Sequence, residues 1–359
     1  MTLIRKEAYM SAQPTLSVLI ANYNHARYLL EALEAILAQS YRPVEIIVAD
    51  DASTDNSVEI IQSFARENSL IRLVRNDQNI GVVLNGNRLL ELASGEYVYF
   101  AAADDRVLPG LFEKSMRLLA QYPQAGLCSA LARLMNETSK DIGLKQSRII
   151  SRQASFLSAQ ECRRALEQHG GWMVGSTTIF SRQALLDAGG FIPELGPYVD
   201  GFTQQVIALR SGVCFIPEPL ANWRRMETGY SQTVVLDVEQ HLEWVNYMTR
   251  LMRTTYRDLF PPEYVAQQER ECLYGVGVAA GRNLQRAQAV YVDHMRRALF
   301  PLNLLDRGLL TCLQTATRLQ TWLITGYLFA RRRRLTWELL RRRAAWIREK
   351  MRARMWNER

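Results

Sequence analysis

Two acids stand side by side at positions 104 and 105, directly after the apolar run Tyr97 to Ala101 and the small pair Ala102-Ala103. Packed like charges raise each other's pKa, and desolvation at the end of a buried strand adds to the penalty, so the pair calls for a cation. A hard divalent ion takes oxygen ligands and shares them with substrate phosphates, which would make Asp105 a metal ligand and Asp104 a ribose contact or support. Taken alone, Asp-Asp in a loop is more often a turn or a helix cap.

The surrounding elements decide between these readings. Leu16 to Ala21 is a short run rich in branched side chains, followed by the polar Asn22-Tyr23-Asn24-His25 and then by apolar positions 29, 30, 33, 36 and 37 at helical spacing. The alternation recurs with a strand at Val44 to Ala49, a loop at Asp50 to Asn56, a helix at Val58 to Ala65 and a strand at Leu70 to Val74. A turn at Asn79-Ile80-Gly81 leads into a helix over 82–93, a strand over 97–101 and, with Pro109 in its first turn, a helix to Gln121. The expected fold is α/β, a parallel sheet with crossover helices. Ligands of such sheets bind beyond the carboxyl ends of the strands, so Asn22-Tyr23-Asn24, Asp50-Asp51 and Asp104-Asp105 are expected to face one crevice.

Beyond residue 123 the pattern is mixed, with a strand expected at 127–131, a polar linker near 136–153 and an apolar run at 178–180 before Gly189-Gly190. We expect residues 1–235 to form one domain in two halves, 16–123, which carries the three polar strand ends, and 124–235. A helical extension is expected over 236–330. In residues 331–359, Leu340, Ala344, Ile347, Met351 and Met355 share one helical stripe, with arginines elsewhere on the surface. This basic amphipathic tail suits an anionic membrane surface, or equally a face of its own domain.

Charge supports that division. The tail holds 12 Lys+Arg against 3 Asp+Glu, a net of +9, whereas the whole 359-residue chain carries +8, leaving the body at −1. A neutral body argues against a chain-wide nucleic-acid footprint. The five cysteines are scattered without zinc-type spacing, and the four histidines share no metal spacing, so both sets are expected to be structural. Residues 1–15 lack the apolar core of a secretory signal, and Leu319 to Ala330 is too short to span a bilayer. A cytoplasmic protein, peripheral at the inner face of the membrane, is the expectation.

The runs Leu16 to Asn24, Ile46 to Asp55, Asn79-Ile80-Gly81 and Gly95 to Asp105 resemble, in order and spacing, the motifs of glycosyltransferase family 2, which has the GT-A fold. The resemblance implies an inverting transfer of sugar from a nucleoside diphosphate to an acceptor hydroxyl of a glycan or lipid-linked saccharide. It places Ala21, Asn22 and Tyr23 along the base pocket, with the Tyr23 ring stacking, and Asp51 on the base or ribose. It implies Mg2+ or Mn2+ at Asp105, with Asp104 and Asn87 among the donor contacts. Gly175 to Arg182 followed by Gly189-Gly190-Phe191 resembles the stretch that precedes the family's base, which makes Asp200 the catalytic acid-base group, a helix cap being the local alternative. Trp223 to Ser231 resembles the loop over the diphosphate, so Arg224 or Arg225 is expected to neutralise the leaving nucleotide. Two positions depart from the pattern: Ala102 stands where a further acid is common, and Gly86 where an Arg is common.

Two rivals are weighed against this reading. A nucleotidyltransferase needs a Gly-rich, basic phosphate loop after the first strand, which Asn22-Tyr23-Asn24-His25 is not. A catalytically inactive scaffold docked to a membrane assembly through its basic tail is motivated by Ala102 and Gly86.

Overall fold

The computed structural model describes residues 13–145, 147–226, 237–269 and 271–272. The helical extension beyond 272 and the basic tail lie outside them. The chain divides into two compact units, Met1–Gln232 with Tyr247–Ala266, and Thr233–Asn246 with Gln267–Arg359.

In the larger unit, the first half alternates strand and helix: β1 (Leu16–Asn22), α1 (Ala26–Leu37), β2 (Glu45–Asp50), α2 (Ser57–Glu67), β3 (Ile71–Arg75), α3 (Val82–Leu92) and β4 (Tyr97–Ala102). There follow the short β5 (Arg106–Val107), α4 (Leu111–Gln121), β6 (Leu127–Met135), β7 (Asp141–Leu144) and β8 (Ser155–Leu157). The second half continues through α5 (Ala159–His169), β9 (Ile179–Ser181), α6 (Arg182–Asp187), α7 (Val199–Ser211) and β10 (Val213–Arg224). The helix α8 (Val238–Arg253) crosses from one unit to the other.

The strands form one mixed sheet in the order β3-β2-β1-β4-β9-β6-β10-β5, with β7 beside β6 and β8 beside β10. Strands β1 to β4 are mutually parallel, while β9 runs against both β4 and β6. Two reversals bring β6, and with it the parallel β10, back to the direction of β4. The carboxyl ends of β1, β2, β4, β6 and β10 therefore share one edge. The order also reverses between β1 and β4, the place where open α/β sheets open a crevice.

Burial follows from sequence period. Leu16, Val18 and Ile20 on β1 meet Leu29, Leu33 and Ile36 of α1, apolar positions three to four apart that fall on one helix face. Tyr99 and Phe112 close this core in an edge-to-face pair. In β10 the register against β6 shifts between Ile216 and Pro219, because Pro217 and Pro219 have no amide hydrogen to give the ladder.

Helix α4 begins two residues later than Pro109 suggests. Gly110, at φ +89°, carries the chain through a left-handed turn first, so Pro109 stands outside the helix. Within the expected linker at 136–153, Asp141–Leu144 pairs with β6 as β7. Residues 247–266 belong with the sheet: Phe260 stacks on Phe202 of α7, and the Tyr264 hydroxyl donates to Gln205 Oε1 at 2.8 Å.

Candidate active site

The loops after β1 and β2 are laced together. Asn22 Nδ2 donates to Asp50 Oδ2 at 2.9 Å and to Ser53 Oγ at 3.2 Å, and both Asn22 and Asp50 are buried. Asn24, at φ +55°, accepts the Thr54 and Asp55 amides through Oδ1, a left-handed conformation that asparagine tolerates. Between these two anchors Tyr23 is 44% exposed, which leaves an aromatic side chain open to stack with a ligand. Ala21, in register with Ala49 and Ala102, is half-buried beneath the crevice. The Asn22 amide nitrogen holds the two loops together, while its buried Oδ1 meets no hydrogen-bond partner among the described residues.

Asp51 is not the cap of α2. Its Oδ1 accepts from Asn76 Nδ2 at 2.6 Å and from the Ile80 amide at 3.0 Å, and its Oδ2 accepts from the Gly81 amide at 2.9 Å. The carboxylate thus fastens the Asn79-Ile80-Gly81 turn to the end of β2, and Gly81 adopts φ +87°. Oδ2 retains a lone pair for a ligand.

Asn87 faces the other way from the expected donor contact. Its Nδ2 donates to Phe191 O at 2.7 Å and its Oδ1 accepts from Phe191 N at 2.9 Å, a two-bond clasp between α3 and the loop after α6. Both ends of the amide are used there, so Asn87 acts on the fold. Gly190 makes the clasp possible: at φ +71°, a Cβ on it would lie 2.9 Å from Asn87 Oδ1. Gly190→Ala should destabilise the protein by about 2 kcal/mol, from the left-handed backbone and a displaced Asn87, read as a lower urea midpoint.

The Asp104-Asp105 turn is built on β10. The Arg224 amide donates to Asp105 Oδ1 at 2.8 Å, and Arg224 Nε donates to the Asp104 carbonyl at 2.6 Å. The rest of that guanidinium is also engaged. It donates to Asn136 O and Ser139 Oγ at 3.0 Å each, pairs with Glu31 Oε2 at 2.6 Å, and lies 4.1 Å from the Tyr28 ring centre. Burial works against ionisation of Glu31, but the Ser139 hydroxyl and the guanidiniums of Arg224 and Arg106 outweigh it and hold the carboxyl below its ordinary range. The Arg224 side chain has no exposed surface, so the expected contact with a leaving diphosphate is corrected to a positioning role. Arg225, exposed and with no side-chain partner among the described residues, is the arginine of the two that remains open to solvent.

Arg224→Ala should therefore act mainly on stability, costing on the order of 3 kcal/mol as Glu31 and three acceptors lose their donor. Arg224→Lys should recover little of this, since one ammonium cannot serve a planar fork of partners. Thermal denaturation of both variants checks it.

Asp105 is nearly buried, and its carboxyl is pushed well above the ordinary range by burial and then by the adjacent Asp104 charge. No hydrogen bond engages the Asp104 carboxylate among the described residues. The pair offers hard oxygen donors, Asp105 Oδ2 and Asp104, to a cation. No cluster of three or more acidic, His or Cys side chains with metal-binding geometry occurs among the described residues, and Ala102 is exposed where a third acid would add a ligand. This donor set fits Mg2+ or Mn2+ completed by phosphate and water rather than a closed protein cage.

Asp200 lies in the first turn of α7, after the capping position Tyr198, and so is not the cap. A Cβ on Gly175 would stand 3.4 Å from its Oδ2, so this glycine leaves the carboxylate room. Asp200 is exposed at the surface, yet the protein atoms crowded around its carboxyl raise its pKa through burial, with the Lys145 charge pulling it down. Lys145 had no place in the expected site. Burial lowers the pKa of Lys145, while the charges of Asp105 and Asp200 pull it up. No spacing in the sequence marks it, because it follows a strand concealed in a polar stretch.

The glycosyl transferase family 2 model matches residues 17–188. An uncharacterized Mycobacterium tuberculosis protein, MT1568, is 32% identical over 251 residues, covering 65% of this chain and 76% of the relative. Of the relatives named as glycosyltransferases that match next, the chain spans about a third of the length. Among solved structures, S. aureus TarS 1-349 in complex with UDP-GlcNAc superposes with a TM-score of 0.52 at 16% identity, covering 87% of this chain and 91% of that one. The mannosyltransferase PcManGT from Pyrobaculum calidifontis, in complex with GDP-Man and Mn2+, gives 0.51 at 21% identity, covering 89% and 86%. At these identities the likeness is one of fold. With the motif order, the mixed sheet and the crevice at its switch point, these findings identify the chain as a glycosyltransferase belonging to glycosyl transferase family 2, with the GT-A fold.

Proposed function

We propose that the chain transfers a sugar from a nucleoside diphosphate donor to an acceptor hydroxyl, with inversion. The observation that carries this reading is the Asp104-Asp105 turn after β4, at the place where the strand order reverses, with Asp105 Oδ2 and the Asp104 carboxylate unengaged among the described residues. Tyr23 stacks on the base and Asp51 accepts from base or ribose, each from the end of a neighbouring strand. Asp104 and Asp105 hold Mg2+ or Mn2+, which, when bound, neutralises the donor diphosphate. Asp200 takes the proton of the acceptor hydroxyl as its oxygen attacks the anomeric carbon from the face opposite the leaving nucleotide. Burial raises the basicity of Asp200 and so strengthens it as a proton acceptor. Support for the donor class comes from the two structural neighbours, solved with UDP-GlcNAc and with GDP-Man and Mn2+. A saccharide or lipid-linked acceptor and attachment of residues 331–359 to an anionic membrane surface complete the proposal. Among the described residues no helix is long and apolar enough to cross a membrane.

Calorimetry with UDP-, GDP- and dTDP-sugars, with Mn2+ and with EDTA, tests it. Metal-dependent binding of at least one donor, followed by its slow hydrolysis, is expected. Binding of none would favour the inactive scaffold suggested by Ala102.

A further inference from the structure

Among the described residues near the Asp105 turn, Lys145 is a largely buried cation whose ammonium has no hydrogen-bond partner, whereas Arg225 is exposed to solvent. Lys145 follows β7 directly, and its amide donates to Ala132 O of β6 at 2.9 Å, which fixes the start of its side chain beside the edge where β6 and β10 end. Its ammonium lies 4.3 Å from the ring centre of Trp223, the residue before Arg224 on β10. Ring and backbone thus hold the side chain from opposite ends.

The Lys145 ammonium makes no hydrogen bond and no ion pair with any described residue. Trp223 precedes Arg224, whose amide donates to Asp105 Oδ1 at 2.8 Å, so the ring holds the ammonium beside the Asp105 turn; burial lowers its pKa, against the pull of Asp105 and Asp200. A desolvated ammonium with three unused donors is costly unless an anion joins it. Two other sources of positive charge are missing at this place. The Arg224 guanidinium is consumed by Glu31, Asn136, Ser139 and the Asp104 carbonyl. On α3, Gly86 presents no side chain and packs against Phe191 and Phe100.

We propose that Lys145 binds the diphosphate of the donor and stabilises it as the leaving group. The assignment rests on the donor-site reading given above. If Asp105 lies at the diphosphate and Asp200 at the acceptor hydroxyl, the bond that breaks lies between them. The leaving oxygen gains its negative charge in that interval, and Lys145 is a cation that the charges of both carboxylates reach. Its charge also compensates in part for the acid missing at Ala102, because a diphosphate already paired with an ammonium depends less on tightly held metal. The atoms balance as in simple displacement: the acceptor oxygen bonds to the anomeric carbon, the bond to the diphosphate oxygen breaks with its electron pair, and Asp200 keeps the proton.

The test uses the full chain with Lys145→Met, Lys145→Gln and Lys145→Arg. UDP and GDP are titrated by calorimetry in Mn2+ and in EDTA, with uridine and guanosine as phosphate-free probes. For whichever diphosphate the wild type binds, K145M and K145Q should bind about 10- to 100-fold more weakly, as expected for loss of a charged hydrogen bond. The loss should be larger in EDTA than in Mn2+, nucleoside binding should be unchanged, and K145R should recover to within a few-fold of wild type. Wild-type affinity for the diphosphate in both neutral variants would overturn the assignment while leaving the donor site standing. Equal losses for nucleotide and nucleoside, or melting temperatures that fall with binding, would mark Lys145 as structural and also overturn it. Absence of nucleotide binding in the wild type would remove the donor-site reading and this assignment together.

Discussion

Replacing Asp200 by Asn should lower sugar transfer by about 1,000-fold while leaving the donor dissociation constant within about two-fold of wild type. The separation follows from position. Asp200 comes from α7, whereas the groups proposed to hold the nucleotide, Tyr23, Asp51 and the Asp104-Asp105 pair, come from β1, β2 and β4. The substitution preserves volume, and the neighbouring Gly175 has no side chain to meet the amide. The wild-type rate should rise with pH through the Asp200 ionisation, and burial sets that limb above the ordinary carboxylate range, moderated by Lys145. Transfer kinetics from pH 4 to 8, with donor affinity measured alongside, read both effects. Near-normal turnover in D200N would remove Asp200 as the base.

Replacing Asp105 by Asn should have two opposite consequences: metal-dependent donor binding is lost, and the metal-free protein becomes more stable. Burial and the neighbouring Asp104 raise the pKa of Asp105 above its unfolded value. Between the two values the folded state binds more protons than the unfolded state, so stability falls as pH rises through that window, and the penalty is complete above the folded pKa. An Asn keeps an oxygen to accept the Arg224 amide but carries no charge, so the fall should flatten. Melting curves in EDTA from pH 4 to 8 should show a higher transition for D105N at the alkaline end. Addition of Mn2+ and donor should raise the transition of wild type alone, because a ligand stabilises only a state that binds it. A lower transition for D105N throughout would mean that the carboxylate is held by contacts worth more than its charge costs.

The sequence carries the first half of the fold in full. Six-residue apolar runs with polar ends, each followed by apolar residues at helical spacing, allow one solution, because each face of a parallel sheet must be covered by the crossover helix that follows it. The second half was harder to read for stated reasons. Pro217 and Pro219 conceal the twelve-residue β10, since a proline ordinarily argues against a central strand, and here a register shift absorbs them. The edge strand β7 is concealed by its length of four residues and its polar flanks, and because it pairs only with β6, its Ile142 and Leu144 stay exposed. Helix α5 does carry a legible start, the Ser158 to Glu161 capping box, in which Glu161 accepts the Ser158 amide at 2.7 Å.

Residue types and order by themselves determined that three polar strand ends share one edge, and that acids from both halves of the chain are available there. Parallel pairing forces the first, and the motif spacing supplies the second. Tertiary structure decided what each polar group is occupied with. Asn87 and Arg224 look in the sequence like ligand contacts, but a buried amide or guanidinium must find partners, and the partners nearest to them are Phe191 and the Glu31-Ser139-Asn136 cluster. Lys145 looks like a linker residue, yet pairing of β7 with β6 carries it against Trp223, where its ammonium makes no hydrogen bond with any described residue. Hydrogen-bond satisfaction is a property of the packed chain, and it separates the polar residues that hold this fold from those left to meet a substrate.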